Sequence, residues 1–149
     1  MVSCICTTSD NTDFKALVAL LDADLRLRDG DEHAFYAQYN KTDAIKHVIV
    51  AYDGDVPVGC GAIKDYDADA MEVKRMYVTK DMRGHGIASA ILKELENWAA
   101  ELHYQKCILE TGKKQPEAIA LYLKNNYTII PNYGQYTGIE NSVCFEKRL

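Results

Sequence analysis

Residues Glu72–Ser89 read EVKRMYVTKDMRGHGIAS, and the fold follows from what that stretch must do. Val73, Met76 and Val78, with Tyr77 between them, make a β-rich run. A short polar loop, Thr79–Met82, comes next, and Arg83-Gly84-His85-Gly86-Ile87-Ala88 opens a strongly periodic helix. A strand, a glycine-bearing turn and a helix N-terminus together form a device for holding an anion. The first helical turn leaves backbone N–H groups unpaired, and the helix dipole favours negative charge there. The glycines let a phosphate approach the backbone because no Cβ stands in the way.

Working outward, the helix expected from about Gly86 to His103 carries Ile87, Ile91, Leu95, Trp98 and Leu102 at one-face spacing, which suits packing on a sheet. Gln105–Thr111 reads as the next strand, parallel to the strand before the helix if the two form a β-α-β crossover. Gly112 ends it, and Pro116 suits the first turn of a second amphipathic helix, Glu117–Asn125. Tyr127–Ile130 is a strand, Pro131–Asn141 a loop rich in Gly, Asn and Tyr, and Ser142–Glu146 a closing strand.

On the N-terminal side, Val2–Thr7 reads as a strand. Ser9, Asp10 and Asn11 offer caps for a helix starting near Asp13, with Phe14, Leu17, Val18, Leu21 and Leu25 on one face. Arg28-Asp29-Gly30-Asp31 stops it, and Glu32–Tyr39 forms a second short helix, rich in aromatic residues, that either packs or covers a substrate site. His47–Tyr52 and Val56–Lys64 make a hairpin across Asp53-Gly54-Asp55. Pro57 and Gly59 mark the start of its second strand as an edge or a bulge. Gly59-Cys60-Gly61 resembles a dinucleotide fingerprint only superficially, because Lys64 stands where the third glycine belongs and no helix follows.

The bulk properties narrow the function classes. The 149 residues suit one domain, residues 1–149, and 48% hydrophobic with 26% charged residues is a globular composition. A net charge of −5 with both signs intermixed excludes a broad nucleic-acid surface. No run reaches the about 20 apolar residues of a membrane span, which points away from a membrane partner. Five cysteines, Cys4, Cys6, Cys60, Cys107 and Cys144, include no CxxC pair and suit neither a zinc knuckle nor a disulfide framework. Free buried thiols and a cytoplasmic location are the expectation, with no metal.

A nucleoside-triphosphate loop would need GxxxxGK[ST], which is absent. The pattern present, Arg83-x-x-Gly86-x-Ala88 after a strand, resembles the central motif of the GNAT superfamily of N-acetyltransferases. Ala118-Ile119-Ala120-Leu121-Tyr122 is similar to a later motif of the same family. The element order agrees along nearly the whole chain. The resemblance implies a single α/β (α+β) GNAT-like domain, with a mixed central sheet of about six to seven strands flanked by about four helices. It implies acetyl-CoA as co-substrate. The backbone of Met76, Tyr77 and Val78 would run beside the pantetheine arm, and Gly84, His85, Gly86, Ile87, Ala88 and Ser89 would hold the pyrophosphate. Arg83 and Lys80 would supply local positive charge.

The reaction sets further needs. An ammonium of pKa about 10 must lose a proton before attack, and a carboxylate near the thioester can take it. Glu72, at the start of the central strand, is the candidate base or amine binder, with Glu110 near the end of the next strand. Tyr122 falls where the family often has a tyrosine acid. Its proton would go to a thiolate of pKa about 8.5, uphill by about 2 kcal/mol. Direct attack in a ternary complex needs no enzyme nucleophile, so Cys60 and Cys107 have no required role. Arg26, Arg28, His33, Tyr133, Gln135 and Tyr136 are the candidates for the acceptor side, and arginines there would suit a substrate carboxylate. The expected function is acetyl transfer to a primary amine of a small molecule or amino acid, by a monomer or homodimer. The alternatives are a catalytically silent coenzyme-A-binding module and an acetyltransferase of protein amines.

Overall fold

The helix signals at the N-terminus are realised residue by residue in a computed structural model that describes residues 1–30 and 44–149. Strand β1 is Val2–Thr7, and helix α1 is Thr12–Asp29. Asn11 caps α1 by accepting a 2.8 Å hydrogen bond from the Phe14 N–H, which satisfies one of the orphan donors of the first turn. Gly30 ends the helix with φ +56°, a conformation open to glycine at little cost. The short helix expected at Glu32–Tyr39 lies outside the described residues.

Strands β2 (His47–Asp53) and β3 (Val56–Asp65) form the expected hairpin. The register shifts between Ala51 and Tyr52, which face Gly59 and Pro57, so Val58 is the extra residue of a bulge. The other half of the expectation, an edge position, does not hold: β3 is interior, between β2 and β4. Strand β4 is Ala70–Val78 and α2 is Ile87–Glu101. Strand β5 is Lys106–Gly112 and α3 is Pro116–Lys124, followed by β6 (Thr128–Ile130) and β7 (Ser142–Arg148). All seven strands join one sheet in the order β1-β2-β3-β4-β5-β7-β6, antiparallel except for the β4–β5 pair. The described residues hold three α-helices, and the sheet is mixed as expected.

The sheet is buried on both faces. On one, α1 lays Phe14, Leu17, Val18, Leu21 and Leu25 against Val48, Val50, Cys60, Ala62 and Tyr77. On the other, α2 lays Ile87, Ile91, Leu92, Leu95 and Ala99 against Ile49, Ala51, Met71, Val73 and Val78. Leu102, expected on that packed face, lies beyond the end of the helix and is exposed.

Strand alternation explains the two faces, and a bulge explains why β4 breaks it. Met71 and Val73 belong to the α2 side, and so do Met76 and Val78, although the spacing from 73 to 76 is odd. The register against β3 jumps from Ala62↔Lys74 to Cys60↔Tyr77, leaving Arg75 and Met76 opposite Gly61 alone. Arg75 sits there at φ +61°, a left-handed conformation that costs a non-glycine residue about 1–3 kcal/mol. Its guanidinium, 2% exposed, donates to Asp22 of α1 at 2.5 Å. The bulge reverses the parity of β4 and turns Met76 and Val78 to the α2 side.

The glycines once compared with a dinucleotide motif have a packing role. A Cβ on Gly61 would stand 2.5 Å from Met76 Sδ and 2.9 Å from both Ile91 Cγ2 and Leu95 Cδ1. Only glycine lets α2 lie this close to β3. Replacing Gly61 with alanine should therefore lower stability by about 1–3 kcal/mol, seen as a lower urea midpoint at an unchanged slope.

Candidate active site

The ladder between β4 and β5 is short. It pairs Ala70↔Lys106, Met71↔Cys107 and Glu72↔Ile108, and no further. Beyond that point β4 stays on β3 as far as Val78, and β5 stays on β7 as far as Gly112. The two central strands therefore part at Glu72. A cavity of about 480 Å³ occupies this region, with Val73–Val78 on one wall and Glu110–Gly112 on another. The β4 backbone along that gap lacks a neighbouring strand, and such an edge is a template for an extended ligand.

One end of the cavity is the turn before α2. Gly84 (φ +83°) and Gly86 (φ +79°) are both left-handed, and added Cβ atoms there would meet nothing within 4 Å. Gly86 is the N-cap, and no side chain caps the helix, so the first-turn N–H groups are open to an anion. The turn is braced from within. Arg83 Nε donates to the Val78 carbonyl at 2.9 Å, and its guanidinium lies 5.5 Å from the centre of the Tyr77 ring. His85 Nδ1 lies 3.1 Å from the carbonyl oxygens of both Met82 and Arg83. Gly84, Gly86, Ile87, Ala88 and Ser89 line the cavity together with Arg83; His85 and Lys80 do not. Met76, Tyr77 and Val78 also line it, with the Tyr77 ring packed on the α1 side.

Glu72 stands where the two strands separate. It is buried, and the Tyr133 hydroxyl donates to its Oε2 at 2.6 Å. Lys74 Nζ lies 3.5 Å from its other oxygen. Glu110, on the same cavity, accepts a 2.7 Å hydrogen bond from the Ser142 hydroxyl. Tyr122, from α3, is buried against Tyr127 and Phe145 and reaches the cavity wall. Burial, reinforced by the Glu110 charge, pushes the phenol above its usual range.

The acceptor-side candidates divide. Arg28 lines the cavity but is committed to acidic partners, Asp24 on its own helix and Glu117 on α3. Tyr136 is buried and lines the cavity; Tyr133 does not line it, being turned onto Glu72. Arg26 is exposed and absent from the wall, and His33 lies outside the described residues. Lys74, Arg75, Asp24, Gln115 and Glu117 also line the cavity and were not singled out from the sequence. Arg75 enters the wall at the bulge, which no local sequence pattern announces.

The cysteines are all free, and the expectation of burial holds for Cys60, Cys107 and Cys144 but not for all five. Cys6 is exposed and Cys4 half-buried because β1 is an edge strand. Burial pushes the thiols of Cys60 and Cys107 up to about 12 and that of Cys144 to about 11. None of the five lines the cavity. Among the described residues no cluster of His, Cys, Asp or Glu could hold a metal ion, and no helix is long and apolar enough to cross a membrane.

The profile of the acetyltransferase (GNAT) family matches residues 14–127. An IAA acetyltransferase from Azospirillum brasilense is 36% identical over 106 residues, covering 70% of this chain and 69% of that one. A solved structure from Klebsiella pneumoniae, assigned to the acyl-CoA N-acyltransferases, superposes with a TM-score of 0.84 at 29% identity, over 100% of this chain and 98% of that one. A GNAT family acetyltransferase from Elizabethkingia anophelis, solved with acetyl-CoA bound, shares the fold with a TM-score of 0.70 at 17% identity, over 99% of this chain and 98% of that one. The parted sheet and uncapped glycine turn thus define an acyltransferase scaffold. The chain belongs to the GNAT family and is an N-acetyltransferase.

Thiol reactivity separates surface from buried cysteines directly. Iodoacetamide at pH 8 should label native protein at Cys6 first and at Cys4 more slowly, because thiolate is the reacting form. Cys60, Cys107 and Cys144 should become labelled only after denaturation, as read by peptide mass spectrometry.

Proposed function

We propose that this protein transfers the acetyl group of acetyl-CoA to a primary amine of a small molecule or amino acid, with both substrates bound together. The observation that carries this reading is the gap between β4 and β5, which has an anion-binding turn at one end and a buried carboxylate, Glu72, near the strand junction. A thioester on a long arm ending in a pyrophosphate fits that layout. The N–H groups from Gly84 to Ser89 would hold the pyrophosphate, with Arg83 and His85 bracing the turn. The backbone of Met76, Tyr77 and Val78 would guide the arm as an added strand. When bound, acetyl-CoA supplies an electrophilic carbonyl and a thiolate leaving group.

The remaining work falls to side chains. Glu72 takes the proton that the acceptor ammonium must lose and later releases it to water. The neutral nitrogen then attacks the carbonyl directly; a C–N bond forms and the C–S bond breaks. Tyr122 meets the departing sulfur. Because its phenol is raised by burial and by Glu110, complete proton transfer costs more than reference pKa values indicate. Tyr122 therefore acts as a protonated hydrogen-bond donor that stabilises the developing thiolate. The proton shed by the attacking nitrogen balances the one that the free thiol finally carries.

Acceptor selection is less dependent on Arg28 than its position on α1 implies, since its charge is already answered by Asp24 and Glu117. Tyr136 and the Glu72 region form the acceptor end of the cavity in this reading.

Calorimetric titration with acetyl-CoA should give saturable binding, and free-thiol release should appear with some members of a panel of amines and amino acids. Absence of acetyl-CoA binding would sink the proposal. Tyr122→Phe should lower kcat about 100-fold, the scale for one lost transition-state donor, with acetyl-CoA affinity little changed. Glu72→Gln should lower kcat/KM for the amine by about 100-fold or more.

A further inference from the structure

Tyr133 and Glu72 are 61 residues apart in sequence and joined by a 2.6 Å hydrogen bond. The tyrosine is held in place on several sides. Its ring meets the Tyr66 ring edge-on at 5.1 Å and the Tyr136 ring at 5.9 Å and 90°. The loop that carries it is tied to itself. Tyr136 N–H donates to the Tyr133 carbonyl at 2.9 Å, Thr137 Oγ1 to the Gly134 carbonyl at 2.9 Å, and Asn132 Nδ2 to the Ile139 carbonyl at 2.9 Å. Gly134 is left-handed, at φ +53°, and a Cβ there would crowd the Tyr66 hydroxyl at 3.1 Å. So much bracing around one hydroxyl, aimed at one carboxylate oxygen, is a mount for that carboxylate.

We propose that Tyr133 is a positioning residue: its hydroxyl fixes Oε2 of Glu72 so that the carboxylate is presented to the incoming ammonium. This rests on reading Glu72 as the proton acceptor. Tyr133 keeps its own proton throughout. Burial first, and then the Glu72 charge, push its phenol above the usual range, so it donates a hydrogen bond and does not relay a proton. The ammonium proton passes to Glu72 and from there to water.

Several elements surround Glu72. Lys74 faces it from β4, and Tyr133 and Tyr136 from the loop after β6. Cys144 faces it from β7, its thiol raised chiefly by burial. Lys64 is its register partner on β3, and Glu110 lines the same cavity from β5. Tyr133 donates to the carboxylate at hydrogen-bond distance. Without that bond Oε2 loses its mount, and kcat/KM for the amine falls while acetyl-CoA binding is kept.

The test is kcat/KM for an amine found active in thiol release, set against the KM for acetyl-CoA. Tyr133→Phe, which keeps the ring contacts, should lower kcat/KM for the amine about 10- to 100-fold, the scale of one hydrogen bond to a charged group, with the KM for acetyl-CoA within twofold. Added to Glu72→Gln, the same change should cost little more, because the carboxylate it positions is gone; a further loss of the same size there overturns the inference. Difluorotyrosine at position 133, nearly the same size and still a donor, should keep kcat/KM within about threefold, and a loss as large as that of phenylalanine overturns the inference; this arm decides the matter if the phenylalanine variant folds poorly by thermal melting. Full activity of Glu72→Gln alone overturns Glu72 as base, whereas an inactive Glu72→Gln beside an unimpaired Tyr133→Phe overturns the Tyr133 role alone.

Discussion

The constraint on which the rest depends is that β4 and β5 pair for three residues and then part. Backbone N–H and C=O groups in a protein interior need partners, and two neighbouring strands ordinarily supply them to each other. Here each strand is held on its outer side, β4 by β3 and β5 by β7 along its whole length. The gap therefore cannot close by sliding one strand over. It persists as a cavity whose wall is main chain on one side, and a main-chain wall selects ligands that can themselves behave as a strand.

The bulge at Arg75 is what makes that wall useful. It changes which side of β4 faces α2, so Met76 and Val78 follow Met71 and Val73 into the same core despite their odd spacing. The left-handed backbone there is offset by the contact of Arg75 with Asp22, which ties the strand to α1. The glycines of β3 complete the arrangement by letting α2 approach, and α2 in turn sets where its N-terminal N–H groups point. Sheet, helix and turn are thus coupled through side chains that touch no ligand.

The polar groups of the cavity illustrate why net charge is a poor guide to a site. The chain carries −5 overall, yet Glu72 is held chiefly by a neutral hydroxyl, Arg28 is absorbed by two acids, and the N-terminus of α2 has no side-chain cap. The local field and its desolvation decide what binds. The same burial, with the Glu110 charge, raises the Tyr122 phenol above its usual range.

The sequence by itself determined the order of elements, the hairpin at Asp53-Gly54-Asp55, the glycine turn before α2 and the family motif around Arg83, because each is written in residues close together along the chain. Glu72 could be singled out by its place at the start of a strand, and Tyr122 by the resemblance of its motif to that of the family. Tertiary structure alone decided that β4 and β5 part at Glu72, that a bulge at Arg75 reverses the strand's faces, that Arg28 is already paired and that Tyr133 turns onto Glu72. Those outcomes join residues tens of positions apart, and strand register, bulges and ion pairing are settled by competition among partners that meet only when the sheet has formed.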